Sequence, residues 1–359
     1  MNKCFITKLP SSVDNDNLPV LGQLRINWLK QSDLKDNDAR AIGLSTNDSI
    51  TVKVSGAHFA DNTLTSNLGN TKTINAADGL TWLYVSNDAN AVLTIDNKYS
   101  LTNINFLRPA KDALLRSVYF DVDDIRYCTN ITNISAANTK ISGDISALSR
   151  LTNLTGLDVY GSQISGDISA LSHLTNLFYL RLAVNPQING DISALSNLTN
   201  LTSIEISNTS ISGDISAVST LTNVGGLNMD YTNVSGDISN LANLTKLTHL
   251  GILNGLSLTG DMSKIPANVY FIKQADRKVN TNFTWAANGR QNVTFLGMEG
   301  NIPFDTSSMD NMLIDQATCT IKSAHKVLQV RGIRTSASDA AITTLQNMGV
   351  TITGVTKEG

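Results

Sequence analysis

A nine-residue segment that occurs six times constrains this chain more than any other feature. ISGDISALS at Ile141–Ser149 recurs, with small changes, at offsets of 23, 24, 23, 23 and 24 residues. A period of about 20–29 residues with apolar positions at fixed offsets is typical of a solenoid, in which each turn of chain adds one strand to a parallel sheet. The repeats therefore predict a stack of similar turns rather than a single closed domain.

Apolar residues between these copies keep the spacing of a short strand followed by a return segment. Leu151, Leu154, Leu157 and Val159 set the pattern, and later repeats place Leu, Ile, Val or Met at the same offsets. A weaker copy around Cys128 precedes them. Because alternate strand residues point to opposite faces, these side chains face inward, and stacking buries what one repeat cannot bury alone. We predict a mostly β solenoid with a parallel sheet on its concave face and a buried Cys128.

The chain before the repeats has a different pattern. SITVKVSG, GLTWLYVSN and AVLTIDN alternate apolar and polar residues between turn residues, which indicates antiparallel strands. We predict a β-rich attachment or oligomerisation domain over residues 1–114. A turn-rich segment early in this domain ends in four apolar positions that form either a docking arm or its first strand, namely Leu21, Leu24, Ile26 and Trp28.

The repeat pattern loosens beyond the solenoid, which we place at residues 115–266. NVYFI and NVTFL lie 24 residues apart and predict two further strands. We predict a strand at KVLQVRG, a helix that is capped by Ser336 or Ser338 and ends at Gly349, and a second strand at VTITGV. Solenoid ends need such caps. Residues 267–359 are therefore predicted to hold degenerate repeats and a βαβ cap.

Composition excludes several classes of protein. The 359 residues are 41% hydrophobic, which is enough for a core, and 27 basic against 30 acidic residues give a net charge of −3. This balance argues against a general nucleic-acid binder. No apolar run approaches the ~18 residues of a membrane span. The start, MNKCFITKLPSSVDNDN, lacks the apolar stretch of a secretory signal, so we expect synthesis in the cytoplasm without export by the usual route.

The sequence shows no chemistry that points to catalysis. Its three cysteines, Cys4, Cys128 and Cys319, are too far apart for a paired-cysteine metal site, and its four histidines are scattered. Motifs of serine hydrolases, phosphate-binding loops and zinc proteases are missing. We therefore expect a protein that is not an enzyme and has no cofactor.

An aspartate stands in the fourth place of every nine-residue copy. The favoured interpretation is that each carboxylate accepts hydrogen bonds from the backbone amides that follow, as at a helix N-cap. The alternative is a ladder of cation sites, for calcium for example, although the dense acidic spacing of dedicated calcium loops is missing. The six residues are Asp144, Asp167, Asp191, Asp214, Asp237 and Asp261.

The copies differ most at the strand positions that point away from the core, so packing does not fix these residues. One interpretation is a solvated face that is free to vary. The other is a binding surface on the concave face, with aromatic and arginine anchors of the kind that interfaces favour. The candidate binding residues are Asp158, Tyr160, Phe178, Tyr179, Arg181, Glu205, Asn228, Asp230, Tyr231 and His249.

These repeats resemble the leucine-rich repeat family over roughly residues 118–266. The ISGDIS segment is similar to the L-x-G-x-I-P return of the plant-type subclass, with Ser where that subclass has Pro. The resemblance implies an α/β-type leucine-rich repeat solenoid. It also implies a ladder of turn-bonding side chains, here Thr139, Ser162, Asn185, Thr209 and Thr232 in a slot where the family usually keeps Asn.

The chain also resembles leucine-rich proteins of gut Bacteroidales and their tailed phages, including the crAss-like group. The resemblance lies in the repeat sequence, in the N-terminal segment KLPSSVDNDNLPVLGQLRI and in the C-terminal segment SDAAITTLQNMGVTITG. This resemblance implies a phage virion decoration, such as a head or tail fibre or an adhesin, that meets protein or glycan on a cell surface. It also implies contacts with other virion proteins and a homo-oligomer, for instance a trimer. The alternatives are a bacterial cell-surface adhesin and a cytoplasmic protein-interaction scaffold.

Overall fold

The computed structural model describes most of the chain from Gln23 to Glu358. The described segments are residues 23–28, 40–55, 57, 59–60, 67–85, 91–106, 118–252, 257–269, 271–273, 283–290, 296–321 and 326–358. Leu21 and Cys4 lie outside these segments. The backbone of Trp28 is described, whereas its side chain is not.

The described residues of the N-terminal part form nine strands, of which five make a sheet of their own. This sheet has the order β5-β3-β7-β1-β9, with antiparallel neighbours. The three predicted strand segments coincide with β3, β6 and β7, so those predictions are confirmed. The strands are β1 (Leu24–Trp28), β2 (Arg40–Thr46), β3 (Ser49–Ser55), β4 (Phe59–Ala60), β5 (Thr71–Asn75), β6 (Thr81–Val85), β7 (Ala91–Asp96), β8 (Leu101–Phe106) and β9 (Val118–Tyr119).

The apolar segment at the start of this unit is a strand of the protein's own sheet and not a docking arm. β1 pairs along its whole length with β7 and, at its end, with β9. The side chains of Leu24 and Ile26 are 0% exposed. The expectation that these two residues form an attachment surface is therefore corrected, because the hydrophobic core already buries them.

Two parallel sheets run side by side through the solenoid, one made by the leucine-rich strands and one by the return segments. Five return strands end at an aspartate and the sixth, β21, ends two residues before Asp261, and each leads into one or two turns of 3₁₀-helix that complete the repeat. The strands are β10 (Asn133–Ser135), β11 (Ser142–Asp144), β12 (Gly156–Asp158), β13 (Gln163–Asp167), β14 (Tyr179–Arg181), β15 (Ile188–Asp191), β16 (Ser203–Glu205), β17 (Ser210–Asp214), β18 (Gly226–Asn228), β19 (Asn233–Asp237), β20 (His249–Gly251), β21 (Ser257–Thr259) and β22 (Phe271–Lys273).

Residues at equivalent positions of successive repeats pair with each other in the sheet of leucine-rich strands. Ile134 pairs with Leu157, which pairs with Leu180, and the same position continues through Ile204 and Leu227. All five side chains are at most 1% exposed. The predicted apolar positions therefore form the interior of the stack, and Cys128, at 0% exposure, lies among them as predicted.

The leucine-rich strands belong to one 14-stranded sheet that continues into both flanks, which we call the long sheet. At the N-terminal side β8 pairs in parallel with β10, and β2, β6 and β4 follow in antiparallel order. One contiguous hydrophobic cluster extends from Leu24 to Val350. The predicted boundaries at 114/115 and 266/267 stay predictions, and the core is continuous across both.

In the described residues of the C-terminal part, three strands extend the same sheet and two helices accompany them. These are β23 (Gly297–Pro303), α1 (Thr306–Gln316), β24 (Val327–Arg334), α2 (Asp339–Asn347) and β25 (Thr351–Lys357). β24 and β25 are parallel and joined through α2, as the predicted βαβ cap requires. The strand predicted at NVTFL lies, apart from Leu296, outside the described residues. Helix α1 is an element that the sequence analysis did not predict.

The architecture as a whole is a leucine-rich repeat solenoid of mostly β structure. Its N-terminal end carries an antiparallel β unit and its C-terminal end a small βαβ cap. Neither α-helix of the described segments has the length and apolar character that a bilayer span requires.

Candidate binding face

The outward side chains of the long sheet form rows, because every leucine-rich strand repeats the same register. Asp158, Arg181, Glu205 and Asn228 are paired positions on four neighbouring strands. Neighbouring strands lie about 4.8 Å apart, so these side chains are within reach of one another. The sequence analysis placed all four on one face, and the structure shows which of them make contact.

Arg181 is the centre of a compact charged cluster on this face. Its Nε donates to Glu205 Oε2 at 2.5 Å, and its Nη1 lies 3.4 Å from Asp158 Oδ2. The guanidinium carbon lies 4.2 Å from the centroid of the Tyr160 ring, which is cation–π geometry. The backbone N–H of Tyr160 in turn donates to Asp158 Oδ1 at 3.1 Å. Four predicted site residues thus hold one another in place.

The side chains of this cluster are partly buried, although they point away from the hydrophobic core. The side chains of Arg181, Asp158 and Glu205 are 14%, 16% and 35% exposed. Burial alone lowers the pKa of Arg181, but the hydrogen bond that Arg181 donates to Glu205 and the charges of Asp158 and Glu205 outweigh it, so that the pKa lies above its ordinary value. Arg181 therefore stays charged, and its rotamer is fixed before any partner arrives.

Phe178 interrupts a threonine ladder along one edge of the face. At the equivalent position, Thr155, Thr202 and Thr248 each donate a side-chain hydrogen bond to the carbonyl of the preceding repeat, at 2.9–3.1 Å. Phe178 keeps only the backbone bond, to Thr155 O at 2.8 Å. Its ring is 58% exposed. The ring therefore contributes little to packing.

The opposite edge of the face is a row of residues with left-handed backbone conformation. Asn138, Gly161, Val184, Asn208 and Tyr231 have φ between +53° and +61°. Gly and Asn adopt this conformation readily, whereas a β-branched or bulky residue does so only under strain. Val184 and Tyr231 are nevertheless 39% and 46% exposed. Tyr231 was predicted from the sequence as a site residue and Val184 was not, since only the backbone angles show what the two residues share.

Asn228, Asp230 and His249 lie on the C-terminal side of the same face. Asn228 and Asp230 lie close to Gly251, where an added Cβ would come within 2.4 Å of Asn228 Oδ1 and 2.9 Å of Asp230 Oδ1. Asn228 Oδ1 also accepts from the backbone N–H of Asp230 at 3.0 Å. The exposed His249 ring makes a 2.8 Å hydrogen bond with the Thr248 hydroxyl. Tyr179 is half-buried on the strand that carries Arg181.

The six repeat aspartates lie away from this face, at the ends of the return strands. In each, Oδ1 accepts the N–H of the serine two residues on, at 2.8–2.9 Å. These hydrogen bonds lower the pKa of Asp191 and Asp214. This is the N-cap arrangement favoured by the sequence. In the described part of the chain, no group of three or more His, Cys, Asp or Glu residues is placed to hold a metal ion.

Two further sets of side-chain hydrogen bonds stabilise the repeats, one mostly within each turn and the other between successive repeats. Thr139, Thr209 and Thr232 donate to turn carbonyls at 2.7 Å, and Asn185 donates to three carbonyls, as the predicted turn-bonding slot requires. Ser162 instead donates to Asn185 Oδ1. An outer ladder was not predicted: in five repeats an asparagine donates to a threonine carbonyl of the preceding repeat at 2.9–3.0 Å, namely Asn153, Asn176, Asn200, Asn223 and Asn268. Lys246 takes this position in another repeat and donates to Asn223 Oδ1.

Several solved structures are similar to this chain. One is the ectodomain of the plant membrane receptor kinase GASSHO1/SCHENGEN3 from Arabidopsis thaliana in complex with CASPARIAN STRIP INTEGRITY FACTOR 2, with 18% identity, a TM-score of 0.47 and coverage of 67% of this chain and 32% of the receptor. Another is internalin C2 from Listeria monocytogenes, with 22% identity, a TM-score of 0.39 and coverage of 50% and 83%.

A plant ice-binding protein is also similar, with 18% identity, a TM-score of 0.34 and coverage of 50% of this chain and 69% of that protein. The chain spans about a third of the length of the Arabidopsis receptor ectodomain. At such identities the likeness concerns the fold alone. No family model matches the chain, and no curated protein matches its sequence.

Proposed function

We propose that this chain is a non-enzymatic binding protein that recognises a protein partner through the face of the long sheet around Arg181. The observation that carries the proposal is the combination of a fixed charged cluster with exposed aromatic and apolar side chains beside it. Interfaces favour arginine and aromatic anchors, and anchors with fixed rotamers lose less entropy on binding. Phe178, Val184 and Tyr231 add little to the core, so the fold does not account for their exposure.

The finer proposal is that the chain decorates the surface of a phage virion as a head or tail fibre or an adhesin. The solenoid would face protein or glycan on the host cell surface, and the N-terminal unit would contact other virion proteins or further copies of the chain, for instance in a trimer. Its support is the resemblance of the repeats and of both terminal segments to leucine-rich proteins of gut Bacteroidales and their phages. The alternatives remain a bacterial cell-surface adhesin and a cytoplasmic scaffold.

Mass spectrometry of phage particles purified from the source culture tests the location. Peptides of this chain in fixed ratio to capsid proteins are the expected result. Recovery only from the soluble cell lysate would refute the virion proposal and favour the cytoplasmic scaffold, whereas recovery only from the bacterial envelope would favour the adhesin.

A cell-binding experiment tests whether the face around Arg181 recognises a partner, and it does not depend on whether the protein is part of a virion. The full chain, labelled with a fluorophore, is mixed with host cells and compared with the Val184→Asn/Tyr231→Asn variant. We expect the variant to lose most of the cell-bound fluorescence. The matched control is Asp167→Asn/Asp191→Asn, which changes two residues of the other sheet and leaves the face intact. Equal binding by all three proteins would exclude this face as the recognition surface.

A further inference from the structure

The face around Arg181 carries an excess of negative charge. Among its outward residues between positions 133 and 251, the acidic groups are Asp158, Glu205 and Asp230, and the only lysine or arginine is Arg181. Three negative charges and one positive charge leave a net charge of −2 with neutral His249. Asp158 and Glu205 both contact Arg181, so its single charge is shared between two carboxylates. A partner with positive charge therefore meets a favourable potential here.

The same face carries apolar contact area along both edges. Val184 N donates to Ser207 O and Asn208 N to Asp230 O, so residues 184, 208 and 231 follow one another along a single row. Val184 and Tyr231 lie two repeats apart, which is roughly 10 Å at the strand spacing of a sheet. Glu205 and Asp230 belong to the repeats spanned by this row, and Phe178 lies at the opposite edge.

Backbone strain gives an independent reason to assign a role to this row. A non-glycine residue in a sparsely populated backbone region persists only where the surroundings impose it, and such residues cluster at functional sites. Here the strained positions carry exposed apolar side chains, while their equivalents in the other repeats carry the unstrained choices Asn and Gly. The two apolar residues therefore weaken the fold in exchange for contact area at the surface.

We propose that the segment of the protein partner that occupies this face is basic, with lysine or arginine side chains placed next to apolar ones. The positive side chains lie over Glu205 and Asp230, and the apolar ones contact Val184, Tyr231 and Phe178. This inference rests on the proposed function and goes beyond it by naming the chemistry of the partner. Charge complementarity selects a basic protein segment over a neutral glycan, which offers no cation to the three carboxylates.

An array of random 12-residue peptides, probed with the full-length chain, tests this assignment, and a glycan array is probed in parallel. The variants are Glu205→Gln/Asp230→Asn and Val184→Asn/Tyr231→Asn. The control Asp167→Asn/Asp191→Asn removes the same number of charges from the other sheet and retains N-cap side chains. Circular dichroism confirms that each variant is folded.

We expect the bound peptides to be enriched in lysine and arginine beside apolar residues, and their binding to weaken as salt rises. Glu205→Gln/Asp230→Asn lowers their affinity roughly tenfold, and the control lowers it little. Bound peptides without basic enrichment, or binding to the glycan array alone, overturn the inference. If peptides without basic enrichment bind the unchanged chain but not the Val184→Asn/Tyr231→Asn variant, the proposed function stands and only the inference of a basic partner fails. Binders that no face variant affects overturn both.

Discussion

At the scale of single residues, the left-handed row beside Arg181 departs most clearly from what the backbone favours. Asn138, Gly161 and Asn208 suit their backbone conformation, whereas Val184 and Tyr231 do not. Nothing in the spacing of the repeats distinguishes these two residues, since the left-handed conformation belongs to the turn after each strand. This is why Val184 escaped a prediction made from alternation alone.

Relieving the strain stabilises the protein. Val184→Asn and Tyr231→Asn each raise the free energy of unfolding by about 1 kcal/mol, because each removes part of the cost of a left-handed non-glycine residue. The corresponding rise in thermal midpoint, about 1–3 °C, is measurable by differential scanning calorimetry. The reciprocal control is Asn208→Val, which introduces the same strain in the same row and lowers the midpoint. A fall in midpoint for both asparagine variants would contradict the assignment of strain.

Arg181 joins two carboxylates that would otherwise repel each other. Arg181→Ala destabilises the protein by about 1–3 kcal/mol, because Asp158 and Glu205 remain half-buried without their cation. Adding Glu205→Ala to Arg181→Ala recovers part of this loss, and the interaction energy follows from a double-mutant cycle measured by urea denaturation. If the changes in unfolding free energy of the two single variants add up to that of the double variant, the interaction between Arg181 and Glu205 contributes nothing to stability.

At the scale of elements, the sequence predicts what periodicity encodes and misses what polar contacts encode. The leucine-rich strands, the interior positions and the aspartate caps recur with the repeat and were predicted, whereas the strands of the return segments were not. Helix α1 was not, because its buried side includes Asp310, Asp315 and Gln316, so its apolar periodicity is weak. Asp315 lies in the core, where it accepts hydrogen bonds from Trp285 Nε1 at 2.9 Å and from the backbone N–H of Arg290 at 3.1 Å.

The aspartate caps make the return segments sensitive to acid. Hydrogen bonds from Ser193 and Ser216 place the folded-state pKa of Asp191 and Asp214 below their ordinary values. Their stabilising contribution is therefore complete above the unfolded-state pKa and is lost as pH falls below about 4 and through the lower folded-state pKa. Thermal midpoints measured by circular dichroism between neutral pH and acid should decrease in that window.

Asparagine provides the control for this acid dependence, since it caps without a titratable group. Asp191→Asn/Asp214→Asn is expected to unfold with a weaker dependence on pH below about 4 than the unchanged chain. An unchanged pH dependence would show that other groups cause the acid sensitivity.

At the scale of the whole molecule, the N-terminal unit and the solenoid share one core, which repeats alone could not reveal. Strand β8 pairs with the first leucine-rich strand, β10, through Ile104 and Ile134. The sequence predicted both the antiparallel strands and the repeats. It did not predict their junction, since β8 itself carries no repeat signature and pairs with β10 only in three dimensions.

Removal of the N-terminal unit should therefore expose the first turn of the solenoid. Deletion of residues 1–106 uncovers the backbone edge of β10 and the apolar side chains that contact β8, and capping repeats are required for the solubility of solenoids. We expect this truncation to aggregate, as measured by size-exclusion chromatography with light scattering. A monomeric, folded truncation would show instead that the repeats cap themselves.

Deletion of one internal repeat is the matched control for the truncation. Removing residues 188–210 takes out one 23-residue unit and leaves each remaining repeat with a neighbour of the same shape on both sides. Because repeats contact only their neighbours, the shortened chain should stay soluble and folded.

The course of the long sheet also determines how the molecule transmits a pull. Hydrogen bonds between strands point across the strands, so here they run along the axis of the stack from the N-terminal unit to the C-terminal cap. Tension applied between the two ends therefore pulls neighbouring strands apart one pair after another, instead of shearing the hydrogen bonds of many strands at once. A pulling experiment on single molecules should record a sawtooth of small, evenly spaced extensions, each close to the contour length of one repeat.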